Sequence, residues 1–341
     1  MPAPFPAPVS PDLLRSFLPD DHTKTEPIAV AVSGGPDSMA LCRLLSQWAA
    51  EHDGPPIHAL TVDHGLRPES HAEAAQVGIW IKDWPHVRHA VLDRDLTGLG
   101  KTRILEQARN DRYALLTGYC RAHDITRLFV AHHLDDQAET VLFRLSKSSG
   151  LDGLCGMRAV KPYDGEVMII RPFLPVLKDD LVSFCKAEAV PFLKDPSNDD
   201  DSFARVRLRR SAAILTEEGL TPARLGKTAA RLSRAQEALD YYTVEALKNS
   251  AKLIDPDRIV FDFRPLAREP EEIRLRVLLR AMEMIAAACG IDRGYGPRLE
   301  KMEALTARLF MDQAFSGETL GGFVFSIEEK TGAITVRREN P

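Results

Sequence analysis

Two short strings in this chain of 341 residues combine residue types and spacings that could do chemistry. The first is Ser33-Gly34-Gly35-Pro36-Asp37-Ser38, which follows the apolar run Ile28-Ala-Val-Ala-Val32 and leads into Met39, Leu41, Leu44, Leu45 and Trp48. That order reads as strand, tight loop and amphipathic helix. Glycines let a backbone turn with φ > 0 and approach a ligand closely. The free N–H groups and the dipole at the start of the helix favour an anion, and the hydroxyls of Ser33 and Ser38 can donate to phosphate oxygens. Asp37 is the odd member, because a carboxylate repels a phosphate; a Mg²⁺ ion between the two removes that conflict. The second string is Ala131-His132-His133-Leu134-Asp135-Asp136-Gln137-Ala138-Glu139-Thr140, again after an apolar run. Its imidazoles and carboxylates can ligate a metal, or its acids can cap a helix that starts near Gln137. The spacing alone leaves both open.

Regular elements must hold these strings in place, and the hydrophobic pattern supplies them. Strand-like runs at 28–32, 57–62, 86–92, 128–131 and 167–170 alternate with helical spacing at 69–84, 104–123, 137–145 and 178–187. The alternation predicts an α/β fold with a doubly wound, mostly parallel sheet of Rossmann-like type. Ligands in such sheets bind beyond the carboxyl ends of the strands, at the switch point. Residues 33–38, 63–67 and 132–136 all follow predicted strands. After about residue 210 the pattern changes to long helices over 221–249 and 271–288, then a strand pair between 317 and 336. The expected organisation is a lead-in over 1–26, loose and polyproline-like at its start, a catalytic α/β domain over 27–210, and a smaller, mainly helical domain over 211–341.

At 44% hydrophobic and 27% charged residues, the composition is that of a folded globular protein. A net charge of −5 advertises no nucleic-acid partner globally, so one must show as a local patch. From Phe203 to Arg234 there are eight basic residues (205, 207, 209, 210, 224, 227, 231 and 234) against Glu217 and Glu218. Cys42, Cys120, Cys155, Cys185 and Cys289 form no C-x-x-C pair, which argues against a disulfide framework, a zinc site or an iron–sulfur site. No apolar run approaches the roughly 20 residues that span a bilayer, and the N-terminus lacks a signal-peptide pattern. The expectation is a cytoplasmic protein with no membrane contact.

The loop is not the common P-loop, since no G-x-x-x-x-G-K followed by Ser or Thr occurs. It resembles the PP-loop of the N-type ATP pyrophosphatases, which holds the pyrophosphate part of ATP while AMP passes to an oxygen of the substrate. The succession SGGPDS, VDHGLR, AHHLDDQAETVLFRL, GLCGM, RPFL and DPSN is more specific. It closely resembles the tRNA(Ile)-lysidine synthetases over roughly residues 27–210, and more weakly beyond. That resemblance implies ATP and Mg²⁺ as cofactors. As substrates it implies L-lysine and tRNA(Ile) with a CAU anticodon, whose wobble cytidine is adenylated on the C2 oxygen before the lysine ε-amine displaces AMP. It assigns ATP binding to Ser33, Gly34, Gly35, Pro36, Asp37 and Ser38, with Asp63, His64 and His132 framing the nucleotide. Asp37 and Asp136 would hold Mg²⁺, and Asp37, His133 and Asp136 would carry catalysis, with Asp135 lining the same site. Asp37 and Asp136 are the candidates for the base that frees the lysine amine.

Arg67, Arg109, Arg112, Arg171, Arg205, Arg207 and Arg209 are the candidate contacts for substrate and tRNA. Arg109 and Arg112 share a helix face. Arg171 either meets the tRNA backbone or fixes the glycine-punctuated segment 150–157, expected to be a mobile loop near the site. Residues 205–209 keep the family's arginine spacing but carry Val206 where the pattern has Asn. Two alternatives stand beside this reading. A tRNA thiolase of the PP-loop group is disfavoured by the scattered cysteines, and a non-catalytic nucleotide- or RNA-binding module by the retained Asp37, Asp135 and Asp136. A homodimer is compatible with the resemblance.

Overall fold

The computed structural model describes residues 6–18, 26–63, 65, 69–93, 104–163, 165–193, 211–291, 298–311, 315, 317–328 and 331–339. Strand β1 (Ile28–Ala31) runs into α1 (Pro36–His52), followed by β2 (Ile57–Asp63), α2 (Ser70–Ile81), β3 (Val87–Asp93) and α3 (Ile104–Ala122). Then come β4 (Arg127–Phe129), α4 (Leu134–Leu145), α5 (Leu151–Leu154), β5 (Val160–Tyr163), β6 (Val167–Ile170) and α6 (Lys178–Ala187). These strands form one sheet in the order β3-β2-β1-β4-β6-β5. Every pairing is parallel except β5 with β6. Strand β1 lies inside the sheet, with Val30 opposite Ala59 on one side and Phe129 on the other. Burial on both faces explains its unbroken apolar run: Ile28, Ala29 and Val30 are fully buried.

The chain winds outward from β1 through β2 to β3, then starts again at β4 on the far side of β1. The switch point therefore lies between the ends of β1 and β4, where an open sheet offers a crevice. Strand β5 escapes the sequence pattern because Val160-Lys-Pro-Tyr163 is short and carries a proline, which only an edge strand tolerates.

The N-terminal segment is packed over its described part, contrary to the loose lead-in expected from its prolines. Ala7 donates its N–H to the Pro175 carbonyl at 2.8 Å, and a 3-10 turn spans Pro11–Leu13. Ala7, Leu14 and Leu18 are buried in the core that contains Met39, Leu41, Phe129 and Phe173. Burial of those apolar side chains outweighs the chain stiffness that proline confers.

The chain divides into two compact units, one of residues 1–148 and 153–230, the other of 149–152 and 231–341. The boundary expected near residue 210 falls in the stretch 194–210, outside the described residues. Helix α7 (Ala212–Glu217) and the long α8 (Pro222–Ser250) lead into the second unit. There follow β7 (Ala251–Ile254), β8 (Arg258–Phe261), α9 (Phe263–Ala267), α10 (Glu271–Ala288), α11 (Leu299–Met311), β9 (Glu318–Leu320), β10 (Phe323–Ile327) and β11 (Ile334–Arg338). The strands form an antiparallel sheet in the order β7-β8-β11-β10-β9. Phe261, Phe323, Phe325 and Ile334 meet Leu278 and Met282 of α10 in its core. The sequence reading recognised only the terminal strand pair. Strands β7 and β8 have four residues each, too few for a period-two pattern to register after the 29 residues of α8. Among the described residues no helix is long and apolar enough to cross a membrane.

Candidate active site

The loop after β1 and the turn after β4 leave the sheet on either side of its switch point, and their chemical groups meet there. His133 Nε2 lies 3.6 Å from Asp37 Oδ2 and 3.4 Å from Asp136 Oδ2, while its Nδ1 lies 3.5 Å from Asp135 Oδ2. The imidazole is almost fully buried, 6% exposed, among these three carboxylates.

The loop is shaped for close approach. Gly34 has φ +85°, and a Cβ there would lie 2.7 Å from Leu193 Cδ1 and 2.9 Å from Val77 Cγ2. Only glycine meets both constraints. The Gly34 carbonyl accepts the Leu193 N–H at 2.8 Å, tying the loop to the chain after α6. Gly35 caps α1 and Pro36 opens it, so the donors without an intrahelical partner are the N–H groups of Gly35, Asp37 and Ser38. The Ser38 hydroxyl is buried and braces the loop. It donates to the Gly35 carbonyl at 3.0 Å and accepts the Ser33 N–H at 3.1 Å. Ser33 is exposed and remains the hydroxyl presented to a ligand.

Both acids of the second string cap helices while they face His133. Asp136 Oδ2 accepts the His133 backbone N–H at 3.1 Å, closing the first turn of α4. Asp135 Oδ2 accepts the Lys178 N–H at 2.9 Å, capping α6 instead of its own helix. The capping reading of this string therefore holds for both carboxylates, one on its own helix and one on α6. His132 is half-buried beside the group.

Burial lifts the Asp37 pKa above its ordinary 3.8 against the pull of His133 and Lys178, and the charges of Asp136 and Asp135 add to the rise. Burial alone would push His133 down, but its close polar contact with Asp135 and the charges of Asp136, Asp37 and Asp135 together hold it above 6.5. Burial alone would likewise raise Asp135. The contact with His133 and the hydrogen bond from the Lys178 N–H outweigh it and hold that carboxyl below 3.8. Asp37 Oδ1 is buried and accepts no hydrogen bond. A desolvated carboxylate oxygen without a donor is costly, and a hard cation relieves that cost. Mg²⁺ typically takes one or two protein carboxylates and fills its remaining positions with water and phosphate oxygens. Asp37 and Asp136, which face His133 Nε2 at 3.6 and 3.4 Å, are the carboxylates of this site that would take that role.

Behind the site, α4 holds the glycine-punctuated segment, which is clamped and not the mobile loop expected. Gln137 Nε2 donates to the Met157 carbonyl at 3.0 Å, and the Met157 N–H donates to Gln137 Oε1 at 2.6 Å. Arg144 donates to the carbonyls of Gly153 at 2.9 Å and Gly156 at 2.8 Å. Gly156 has φ +72°, and a Cβ there would lie 2.7 Å from the Gln137 amide. Sequence reasoning passed over Gln137 and Arg144, although their seven-residue separation sets both on one face of α4.

The remaining candidates are distributed differently. Arg171 is buried, 7% exposed, and donates to the Arg158 carbonyl at 3.0 Å. That bond holds the residue directly after the segment, which is the second of the two roles expected of it. Asp63 anchors the turn into α2 by accepting from the Gly65 N–H at 3.0 Å and the Ser70 hydroxyl at 2.6 Å, with His71 Nδ1 3.3 Å away. The Ser70 hydrogen bond is the main reason its pKa lies below 3.8, with help from Gly65 and His71 against burial. Arg112 is exposed, its guanidinium 5.7 Å from the centre of the Tyr113 ring. Arg109 lies on α3, but its side chain is outside the described residues, as are His64, Arg67, Arg205, Arg207 and Arg209. Burial pushes the Cys42 and Cys120 thiols up to about 12, so neither is a thiolate at neutral pH.

A parallel sheet whose switch point is flanked by this glycine loop and an acid-rich helix start defines a PP-loop domain, and the PP-loop domain family matches residues 11–215. The fold is similar to that of the U34-tRNA thiolase of Methanococcus maripaludis, with a TM-score of 0.52 and 18% identity over 65% of this chain and 76% of that one. Closer relatives are tRNA(Ile)-lysidine synthases. The protein from Methylobacterium sp. (strain 4-46) is 43% identical over 288 residues, 83% of this chain and 79% of that protein. The one from Methylobacterium nodulans is 40% identical over 322 residues, 92% of this chain and 91% of its own. The chain belongs to the tRNA(Ile)-lysidine synthase family.

Proposed function

We propose that this protein is a ligase that joins L-lysine to C2 of the wobble cytidine of tRNA(Ile) with a CAU anticodon, through an adenylated tRNA, in the cytoplasm. The observation that carries the reading is the meeting of Asp37, His133 and Asp136 at the switch point, in a chain of this family. The cytidine C2 oxygen attacks the α-phosphorus of ATP, and the bond from that phosphorus to pyrophosphate breaks. The lysine ε-nitrogen then attacks C2, the bond from C2 to the AMP oxygen breaks, and the amine gives up its proton.

Each demand has a candidate in this chain. The N–H groups of Asp37 and Ser38, the Ser33 hydroxyl and the dipole of α1 cradle the pyrophosphate. His133, held protonated over a wider pH range than a free imidazole, offsets the negative charge that develops as pyrophosphate leaves. Mg²⁺, bound by Asp37 and Asp136, would neutralise phosphate charge. Asp37 and Asp136 are also the carboxylates available to take the lysine proton. Gln137 and Arg144 keep the segment beside α4 in one conformation.

The test is incorporation of labelled lysine into unmodified tRNA(Ile) with a CAU anticodon, with AMP and pyrophosphate followed in parallel and Asp37→Ala as control. Lysine incorporation matched by AMP, and lost in the variant, supports the ligase. AMP without lysine incorporation redirects the chemistry to another nucleophile, and no ATP turnover with tRNA and Mg²⁺ present overturns it.

A further inference from the structure

Helix α8 carries a face that the proposed chemistry leaves unused. Arg224, Lys227, Arg231 and Arg234 are all exposed and follow one another at spacings of three or four residues. That spacing stacks them along one side of a helix, about 5 Å apart from turn to turn. The same phase continues through Ala238 to Tyr241 and Tyr242, whose residues are 64% and 62% exposed. The opposite side of the helix is committed to packing through Leu225, Ala229, Gln236, Thr243, Ala246 and Leu247, all buried.

The cations of this face are not neutralised locally. Among the described residues no carboxylate pairs with Lys227, Arg231 or Arg234. Two of the acids in the second half of α8 are occupied elsewhere: Asp240 accepts from Arg276 at 3.2 Å, and Glu245 from Lys248 at 2.9 Å. Glu237, three residues after Arg234, is the acid left at the edge of the stripe. The two tyrosine rings stand edge to face, with centres 5.5 Å apart and planes at 85°. They therefore offer two separate stacking faces and not one flat platform.

We propose that this face binds single-stranded or looped RNA of the tRNA substrate. Arg231 and Arg234 meet successive phosphates, and Tyr241 and Tyr242 stack on unpaired bases. A row of unpaired cations is what a phosphate backbone requires, and exposed aromatic faces beside it are what splayed bases require. A protein partner would call for acids to match the row, and a second copy of this chain would present the same cations to one another. The inference rests on the proposed function only in taking tRNA as the ligand.

The experiment measures binding of unmodified tRNA(Ile) transcript to the full chain across a salt series. Two double variants are compared with wild type, Arg231→Gln/Arg234→Gln and Tyr241→Ala/Tyr242→Ala, with thermal melting confirming that each is folded. Loss of two phosphate contacts should weaken binding about tenfold or more at moderate salt and reduce the slope of log K against log salt by about 1.5. Loss of the stacking faces should weaken binding about fivefold or more and leave the salt slope unchanged. Folded variants that bind within twofold of wild type, with the same slope, overturn the stripe, as does a Tyr241→Ala/Tyr242→Ala variant that loses self-association and keeps its tRNA affinity. Lysidine formation by wild type is scored separately. Wild type that binds through the stripe and forms no lysidine sinks the proposed function alone, whereas wild type that forms lysidine with unaffected variants sinks the stripe alone.

Discussion

In the first unit the His133 imidazole faces Asp37, Asp136 and Asp135 at 3.6, 3.4 and 3.5 Å. In the second, the Arg276 guanidinium donates to Asp152, Glu272 and Asp240 at 2.5, 2.7 and 3.2 Å. Each is a buried nitrogen-bearing side chain among three carboxylates, and they are built to opposite ends. Arg276 carries a permanent charge on a planar fork and meets each acid at hydrogen-bond distance. Its partners are 58%, 46% and 48% exposed, so water completes their shells. His133 is titratable, its contacts are longer than good hydrogen bonds, and Asp37 Oδ1 accepts none. A joint satisfies every group it contains. A site for chemistry leaves valences open where a substrate or ion arrives, and the surrounding fold bears the cost.

The largest expected effect breaks the first arrangement. Asp37→Asn should lower the rate of AMP formation by about 10²–10³-fold, the scale for removing one charge-stabilising group from a preorganised site. It should leave the melting temperature unchanged or raised, because burial disfavours this carboxylate in the folded chain. A large drop in melting temperature would mean that Asp37 is structural and that the contrast with Arg276 is false.

Arg276→Met should do the reverse. Removing one partner of a buried ion cluster costs about 3–5 kcal/mol when the rest stays dry, and the half-exposed acids here reduce that to about 2 kcal/mol. Chemical denaturation would measure it, and a loss below about 0.5 kcal/mol would place the cluster with ordinary surface pairs.

Smaller losses should come from the clamp behind the site. Gly156→Ala puts a methyl group against Gln137 on a backbone with positive φ. About 1–3 kcal/mol of stability is expected to go, the scale for holding a non-glycine residue in that region. Gln137→Leu should cost about 1–3 kcal/mol by stranding the Met157 N–H and carbonyl.

The smallest effect concerns Asp63, whose pKa is depressed on folding. Such a carboxylate contributes stability in full above its unfolded value of 3.8, and loses it as pH falls through the lower folded value. Asp63→Asn should therefore be less stable than wild type at neutral pH, and the two urea-unfolding curves should converge below pH 3.8. A gap that persists at low pH would assign the effect to packing instead.

The parts of this molecule legible in the sequence are those encoded locally. The run from Ile28 to Ser38 states a strand, a turn and a helix in consecutive residues, and the His133 string states a helix start. Contacts made at a distance were not legible. Asp135 caps a helix that begins 43 residues later, and nothing near it in sequence marks that partner. Arg276 meets Asp152 across 124 residues, so each reads as a solvated charge. Arg171 meets the Arg158 carbonyl through a contact that its own neighbours in sequence do not mark. Pro162 disguised an edge strand, and the prolines near the N-terminus disguised the apolar positions that bury Ala7 and Leu14.

The division of the chain has a consequence for anyone who would dissect it. The backbone changes unit after Ser148, after Asp152 and after Ala230. A fragment ending at Ala230 would retain Asp152 but discard the guanidinium that Asp152 is paired with. No single cut yields two self-sufficient pieces. The two units are modules in space and not in the gene, and shuffling or circular permutation would have to carry residues 149–152 along with the smaller one.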